Sequence, residues 1–198
     1  MFPRKMMCPQ PEVPAGPLEF SSQERTLLLK LAHDAIASEL DCSEISLTPS
    51  LPHLAEPRGA FTTLYHQGIL RGCVGFVEPV ASLYQTVIET ARAAAFEDTR
   101  FWPVTCEELE GLQVSLSILS KPTPILPEQI ELGRHGLIVG QAGHRGLLLP
   151  QVSVEHNWDR ITFLEQTCHK AGLPLDAWQK GALIEAFTAE VFADENLK

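Results

Sequence analysis

The stretch Leu70-Arg71-Gly72-Cys73-Val74-Gly75 stands in a run of alternating residues that predicts a β-strand, yet it contains a cation, a thiol and two glycines. Glycine weakens a strand because it packs no side chain and has the greatest freedom in the unfolded chain. Two glycines around a cysteine therefore indicate that another group approaches the main chain closely here. Alternation divides this strand between two faces. The predicted core face carries Leu70, Gly72, Val74 and Phe76, and the opposite face carries Arg71, Cys73 and Gly75.

The residues around this stretch predict a β-hairpin. Two alternating runs, 60–66 and 69–77, are separated by Gln67-Gly68, and glycine supplies the positive φ that a tight turn needs. A capping box at Ser21 and Glu24 predicts a preceding helix that ends near Leu40.

Helices and strands continue to alternate irregularly after the hairpin. A capping box at Ser82 and Gln85 predicts the next helix, which is followed by a strand over 112–118 and a second hairpin of 136–140 and 146–152. A further helix is capped by Asn157 or Asp159 and ended by Gly172. A turn or short helix over 174–180 and a closing strand over 184–192 complete the predicted elements. Without regular βαβ spacing, this order predicts an α+β fold with a mostly antiparallel sheet and flanking helices. Two unequal lobes with a cleft are one arrangement of such a chain. We expect residues 1–17 to be a disordered proline-rich tail and 18–198 to be a single domain.

Composition narrows the class of protein. The chain has 198 residues, 44% hydrophobic and 20% charged, and 15 Lys and Arg against 25 Asp and Glu give a net charge of -10. Nucleic-acid binding is not expected, because phosphate recognition depends on a basic surface. No membrane span is expected either, since no apolar run approaches about 20 residues. The first 17 residues lack the apolar core of a signal peptide, so we expect a cytoplasmic protein.

Five cysteines are present, an odd number with no CxxC pair. We therefore expect reduced thiols, with no disulfide framework and no metal site.

The hexapeptide is similar to the signature Leu-Arg-Gly-Cys-Ile-Gly of the AMMECR-type domain, also called AmmeMemoRadiSam system protein A, with Val74 in place of isoleucine. Seven further segments similar to that family occur in order along the chain, one before the hexapeptide and six after it, and the resemblance covers roughly residues 20–193. The other matching segments are 59–64, 94–101, 136–137, 149–152, 158–159 together with 170–172, and 189–192.

The resemblance implies an α+β fold with a cleft near the hexapeptide. It also implies association with a Memo-like protein and a radical S-adenosylmethionine protein. It points to no particular cofactor, substrate or reaction.

Cys73 is one candidate functional residue. A neighbouring cation such as Arg71 would stabilise its thiolate, which could serve as a nucleophile, a redox thiol or a soft metal ligand. The alternative is a small buried apolar residue, as most free cysteines are.

Arg71 could present its planar fork to a carboxylate or phosphate, or form a structural ion pair with Asp98 or Glu97. Asp98 and Arg100 could line the same cleft or simply hold their loop. Gly72 and Gly75 could admit a ligand, although a bulge or close packing explains them equally well.

A second polar cluster lies between the second hairpin and the next helix. A carboxylate beside histidine makes His156 a candidate acid or base, whereas helix capping is the commoner role of such a cluster. Its members are Gln151, Glu155, His156, Trp158 and Asp159.

Two functions follow from these candidates. In the first, the chain is a binding module in which Arg71, Asp98 and Arg100 hold a small anionic ligand or a segment of a partner protein, with Gln151 and Glu155 as further binding candidates. In the second, it is an enzyme with Cys73 as its reactive thiol and a distant acid or base such as His156. Binding is favoured because no nucleophile–base pair is visible in the sequence.

Overall fold

A computed structural model describes residues 19–41 and 51–195, and it confirms an α+β fold with two antiparallel four-stranded sheets. The α-helices of these ranges are α1 (Ser22–Asp41), α2 (Leu83–Phe96), α3 (Pro150–Glu155) and α4 (Arg160–Lys170). The strands are β1 (Ala60–His66), β2 (Ile69–Phe76), β3 (Leu112–Leu119), β4 (Thr123–Pro124), β5 (Gly136–Gln141), β6 (His144–Leu148), β7 (Leu183–Phe187) and β8 (Ala189–Ala193). The predicted tail, Cys8 and Cys42 lie outside the described residues.

The described chain divides into two compact units, one formed by residues 122–188 and the other by the residues before and after them. The unit that contains the hexapeptide has the strand order β2-β1-β3-β8, and α1 and α2 pack together beside it. Its core is apolar and fully enclosed. Members of this core include Leu28, Ile36, Leu64, Leu83, Val114 and Leu116.

The first predicted helix is confirmed together with its capping box. The Ser21 amide donates to Glu24 Oε2 at 2.8 Å, and the Glu24 amide donates to Ser21 Oγ at 3.3 Å. The second predicted capping box is wrong, although α2 begins where expected. The Ser82 hydroxyl donates to Gln85 Oε1 at 2.8 Å instead of accepting from the helix backbone.

The first hairpin is also confirmed, with positive φ angles of 52° at Gln67 and 71° at Gly68. Its pairing contains a β-bulge, because Gly72 lies opposite Leu64 whereas Leu70 lies opposite Tyr65. The extra residue is Arg71, which has no partner in the register. Since paired residues share a face, the bulge moves Leu70 to the face opposite Gly72, and its predicted place on the core face is wrong.

The unit formed by 122–188 has the strand order β4-β7-β5-β6, with α4 packed on β5 and β6. The second predicted hairpin is confirmed only as far as Leu148. The chain then forms α3, because Pro150 occupies the first turn of a helix, where its fixed φ is favourable and its missing N–H costs no hydrogen bond.

The prediction for the ends of α4 is confirmed. The Asp159 side chain accepts from the Thr162 amide at 2.7 Å, and Gly172 ends the helix with φ 71°. The predicted single closing strand is wrong. Residues 183–193 form β7 and β8 in different sheets, separated by Thr188, and the alternation of side chains does not reveal this break.

No helix in the described ranges combines the length and apolar character required to cross a lipid bilayer.

Candidate functional site

The hexapeptide lies on β2, the edge strand of its sheet, and side chains close this edge at Cys73. The Cys73 amide donates to Asp98 Oδ2 at 2.9 Å, and Arg100 Nη2 donates to the Cys73 carbonyl oxygen at 3.2 Å. Arg100 also makes a two-point contact with Asp98, at 2.9 Å through Nε and 2.6 Å through Nη2. One ion pair therefore satisfies both main-chain groups of Cys73 that face away from β1.

Arg71, the bulge residue, connects two segments that follow α2. Its Nε and Nη2 donate to the two carboxylate oxygens of Glu108 at 2.7 and 2.9 Å. Its Nη1 donates to the Trp102 carbonyl at 2.7 Å, and its Nη2 donates to the Pro103 carbonyl at 3.1 Å. The structural partner of Arg71 is thus Glu108, rather than the predicted Asp98 or Glu97.

Glu108 was not singled out in the sequence, although a local signal marks it. It belongs to a short 3-10 helix, Cys106–Gly111, whose N-cap Thr105 forms a capping box with Glu108. The pattern Thr-x-x-Glu is the usual signature of such a helix start. That signal locates the helix start, but it gives no indication that the carboxylate also binds an arginine 37 residues earlier.

Both carboxylates are held in their charged forms. Hydrogen bonding from Arg71, helped by the Thr105 amide, lowers the pKa of Glu108 to about 2. Hydrogen bonding from Arg100, helped by the Cys73 amide, holds the pKa of Asp98 well below its usual value. The same ion pair raises the pKa of the Arg100 guanidinium. These contacts therefore persist through the neutral pH range.

Residues 97–103, which we call the Trp102 loop, present two large side chains to solvent. The Trp102 residue is 88% exposed, and the Arg100 side chain is 56% exposed. By contrast, the Arg71 side chain is only 15% exposed. Main-chain hydrogen bonds also hold the loop: the Phe101 amide donates to the Asp98 carbonyl at 3.0 Å within it, and the Val104 amide donates to the Ala95 carbonyl at 2.9 Å across its ends. An exposed indole is thus carried on a loop with several fixed points.

The two glycines of the hexapeptide make room for groups of the protein itself. A Cβ atom at Gly72 would overlap the carbonyl oxygen of Ala94 in α2. A Cβ atom at Gly75 would overlap the ring of Phe61 and lie 2.7 Å from the Ala60 carbonyl oxygen. The expected close approach to the main chain therefore exists, and at Gly72 a helix makes it.

Cys73 is partly exposed and shares its sheet face with Thr63, its partner in the register. The Thr63 hydroxyl donates to Cys73 Sγ at 3.4 Å. Cys106 is exposed, and Cys168 is fully buried beside the core of the other unit, where burial raises the pKa of its thiol. No group of three or more His, Cys, Asp and Glu side chains in the part of the chain that the structure describes is arranged to hold a metal ion.

Among the predicted site residues, the structure joins Cys73, Asp98 and Arg100 by hydrogen bonds. Arg71 lies on the same strand, with Gly72 and Gly75, but binds Glu108 and the main chain of the Trp102 loop instead. Gln151 and Glu155 lie on α3 in the unit formed by 122–188, and His156 ends that helix.

His156 has an aromatic neighbour in its own loop. Its ring stacks on Trp158 with centroids 4.6 Å apart and planes at 14°. Asp159 caps α4, and the amide of Thr162 lowers the pKa of its carboxyl. The capping explanation is therefore confirmed for Asp159.

Comparison with known proteins supports the family resemblance carried by the hexapeptide. The AMMECR1 family profile matches residues 29–192, most of the chain. The chain belongs to the AMMECR1 family. Among family relatives, a protein of Methanosarcina acetivorans is 47% identical over 150 residues, covering 73% of this chain and 75% of the relative. A protein of Thermofilum pendens is 39% identical over 198 residues, with coverage of 90% and 93%.

A solved structure also matches this AMMECR1-family chain in fold and in sequence. The crystal structure of an uncharacterised protein from Pyrococcus horikoshii superposes with a TM-score of 0.71 at 41% identity. The match covers 85% of this chain and 90% of that protein.

Proposed function

We propose that this AMMECR1-family chain is a binding module that captures a segment of a partner protein through the Trp102 loop. The observation that supports this most directly is an indole that is 88% exposed on a residue whose main-chain carbonyl accepts a hydrogen bond from the largely buried Arg71. Leaving a large aromatic side chain in water forgoes about 1.5–3 kcal/mol of burial free energy. Tryptophan and arginine are also the residues most enriched among binding hot spots, and both are exposed on this loop.

The hydrogen bonding of Arg71 favours a protein partner over a small anion. Its Nε and Nη2, the two donors that would bind a phosphate or carboxylate together, already donate to the carboxylate of Glu108. Arg100 is more exposed, but its charge is balanced by Asp98 at 2.6 Å. The site therefore offers little uncompensated positive charge to a small anionic ligand, and we assign Arg71 to positioning the loop.

The hexapeptide supports a proposal for the partners as well. We take this chain to be the A component of an AmmeMemoRadiSam system in the cytoplasm. Its binding partners are then the Memo-like protein and the radical S-adenosylmethionine protein of the same organism. The predicted cleft near the hexapeptide remains a prediction.

Replacing the exposed indole tests the proposal. We expect Trp102→Ala to weaken binding of the purified Memo-like or radical S-adenosylmethionine protein at least tenfold in isothermal titration calorimetry, because an anchor of about 2 kcal/mol is lost. Folding stability should change by less than about 0.5 kcal/mol, since the side chain is exposed.

Val80→Ala is the matched control, because Val80 is an apolar residue of the same unit that is 79% exposed. Its binding should equal that of the wild type. Wild-type affinity for both partners in Trp102→Ala would overturn the proposal.

Thiol chemistry at Cys73 is the second candidate, and it is favoured by a thiol that is partly exposed and whose Sγ accepts a hydrogen bond from the Thr63 hydroxyl at 3.4 Å. Peptide-resolved alkylation with iodoacetamide separates the two candidates. A binding module is expected to alkylate Cys73 more slowly than the exposed Cys106. Faster alkylation of Cys73, with loss of function in Cys73→Ser, would support the enzyme.

A further inference from the structure

We infer that the partner segment captured by the Trp102 loop is basic and that it extends from Trp102 along the 3-10 helix Cys106–Gly111 into an acidic hollow beyond it. This inference rests on the proposed function and specifies the chemistry of the partner. It also reverses the charge of the ligand that the sequence suggested.

The first observation is the unbalanced charge beside the exposed indole. The 3-10 helix carries three glutamates, of which Glu108 is neutralised by Arg71. Glu107 and Glu110 are exposed, and neither forms an ion pair with any residue in the described ranges. The Arg100–Asp98 pair on the other side of Trp102 is neutral in sum.

The Trp102 main chain and the 3-10 helix that carries these glutamates lie close together, because the Arg71 guanidinium contacts both segments. Arg71 donates to the Trp102 carbonyl at 2.7 Å and to the Glu108 carboxylate at 2.7 Å. A cation on a partner can therefore face the indole, which is the best aromatic surface for a cation, and remain close to the glutamates.

The second observation is a hollow of about 360 Å³ at the far end of the helix. It contains two carboxylates and two side-chain amides but no cation. Its lining residues are Gln67, Glu110, Gly111, Leu112, Gln113 and Asp194. Asp194 Oδ2 accepts from the Val114 amide at 2.7 Å and contacts His33 Nε2 at 2.9 Å, and the side chain is still 27% exposed. Such a lining suits the ammonium or guanidinium group of a lysine or arginine.

The dimensions define the length of the segment. Six residues of 3-10 helix rise about 12 Å at about 2 Å each, and an extended peptide covers that distance with about four residues. A segment with one cation at the indole and another about four residues away therefore satisfies both sites. The net charge of -10 on the whole chain adds long-range attraction for such a partner.

A peptide probe tests the charge directly. We expect the peptide acetyl-Lys-Gly-Lys-Gly-Lys-Gly-amide to bind at least threefold more tightly than the same peptide with glutamate in place of lysine. Binding of the lysine peptide should weaken as NaCl rises from 50 to 500 mM, because exposed charges are screened. Equal binding of the two peptides, or tighter binding of the glutamate peptide, would overturn the inference.

Charge-removing variants locate the interaction. The double variant Glu107→Gln/Glu110→Gln should bind both the lysine peptide and the natural partner about three- to thirtyfold more weakly and with less salt dependence. The control Glu89→Gln/Glu128→Gln removes two exposed glutamates elsewhere and should leave binding unchanged.

The proposed function and this inference fail differently. If Trp102→Ala abolishes partner binding but the Glu107→Gln/Glu110→Gln variant binds like the wild type, the loop is the docking site and the basic segment is wrong. If Trp102→Ala has no effect on partner binding, the docking site itself is wrong.

Discussion

At the scale of single residues, Arg71 organises the surface around the hexapeptide through hydrogen bonds rather than by burying apolar area. Its guanidinium donates to two main-chain carbonyls and to both oxygens of Glu108. Planar, two-point contacts of this kind fix direction as well as distance, and lysine cannot reproduce them. The position of Trp102 therefore depends on the guanidinium of Arg71, a side chain that is itself largely buried.

The Arg71–Glu108 ion pair makes the free energy of unfolding depend on pH. Since the folded pKa of Glu108 is lowered from 4.5 to about 2, its contribution is fully present above pH 4.5 and is lost as the pH falls toward 2. We expect Glu108→Gln to cost about 1–3 kcal/mol of unfolding free energy at pH 7, allowing for partial exposure, and much less at pH 2.5. Urea titrations at the two pH values measure this difference.

Glu89→Gln provides the control, because Glu89 is exposed on α2 and its loss should be nearly neutral at both pH values. An equal cost for Glu108→Gln at pH 7 and pH 2.5 would contradict the proposed role of the carboxylate charge.

At the scale of elements, the hexapeptide determines how closely α2 lies against β2. The strand has no side chain at Gly72, and the helix contributes a row of small residues that includes Ala91, Ala94 and Ala95, all buried. The carbonyl of Ala94 occupies the space that a Cβ at Gly72 would need. Because both contacting groups are main chain, neither can move without displacing its whole element.

Gly72→Ala is therefore expected to destabilise the fold by about 3 kcal/mol, the upper end of the usual cost of overpacking. Gly140→Ala is a matched control on β5, where the new Cβ would lie 3.6 Å from the His144 carbonyl oxygen in ordinary contact. Its cost should stay within about 0.5 kcal/mol. Chemical denaturation compares the two variants, and similar midpoints would show that α2 does not require the glycine.

Local signals in the sequence predicted most elements but not their irregularities. Gln67-Gly68 located the first hairpin, and Ser21 with Glu24 located the start of α1. A bulge was one explanation offered for Gly72 and Gly75, but its position at Arg71 was not predicted, because strict alternation has no place for an unpaired residue. The Arg71–Glu108 contact was missed for a different reason: two charges 37 residues apart leave no joint pattern in a single sequence.

At the scale of the whole molecule, the chain returns to its first sheet only at the end. β8 pairs with β3, although the register partners Leu119 and Ala189 lie 70 positions apart in the sequence. It also contributes Phe192 to the core and Glu190 to a contact with Arg25 at 2.7 Å. The last strand is therefore needed to complete a sheet that begins with the hexapeptide hairpin.

Truncation after Thr188 should unfold the unit that contains β1, β2 and β3. We expect its amides to lose protection in hydrogen exchange, because an aromatic core residue worth about 3–5 kcal/mol and a whole strand pairing are removed together. Truncation after Glu195 retains β8 and serves as the control. Unchanged protection of β1–β3 in the shorter protein would show that β8 is dispensable.

The Asp98–Arg100 pair also affects whether copies of the chain can associate through the edge of β2. An edge strand with free main-chain groups is a template for strand addition, through which identical chains polymerise. By occupying the outward N–H and C=O of Cys73, this pair blocks that template at the middle of β2. Strand addition by further copies of the chain is therefore opposed at this edge, even though the nearby Trp102 indole is exposed.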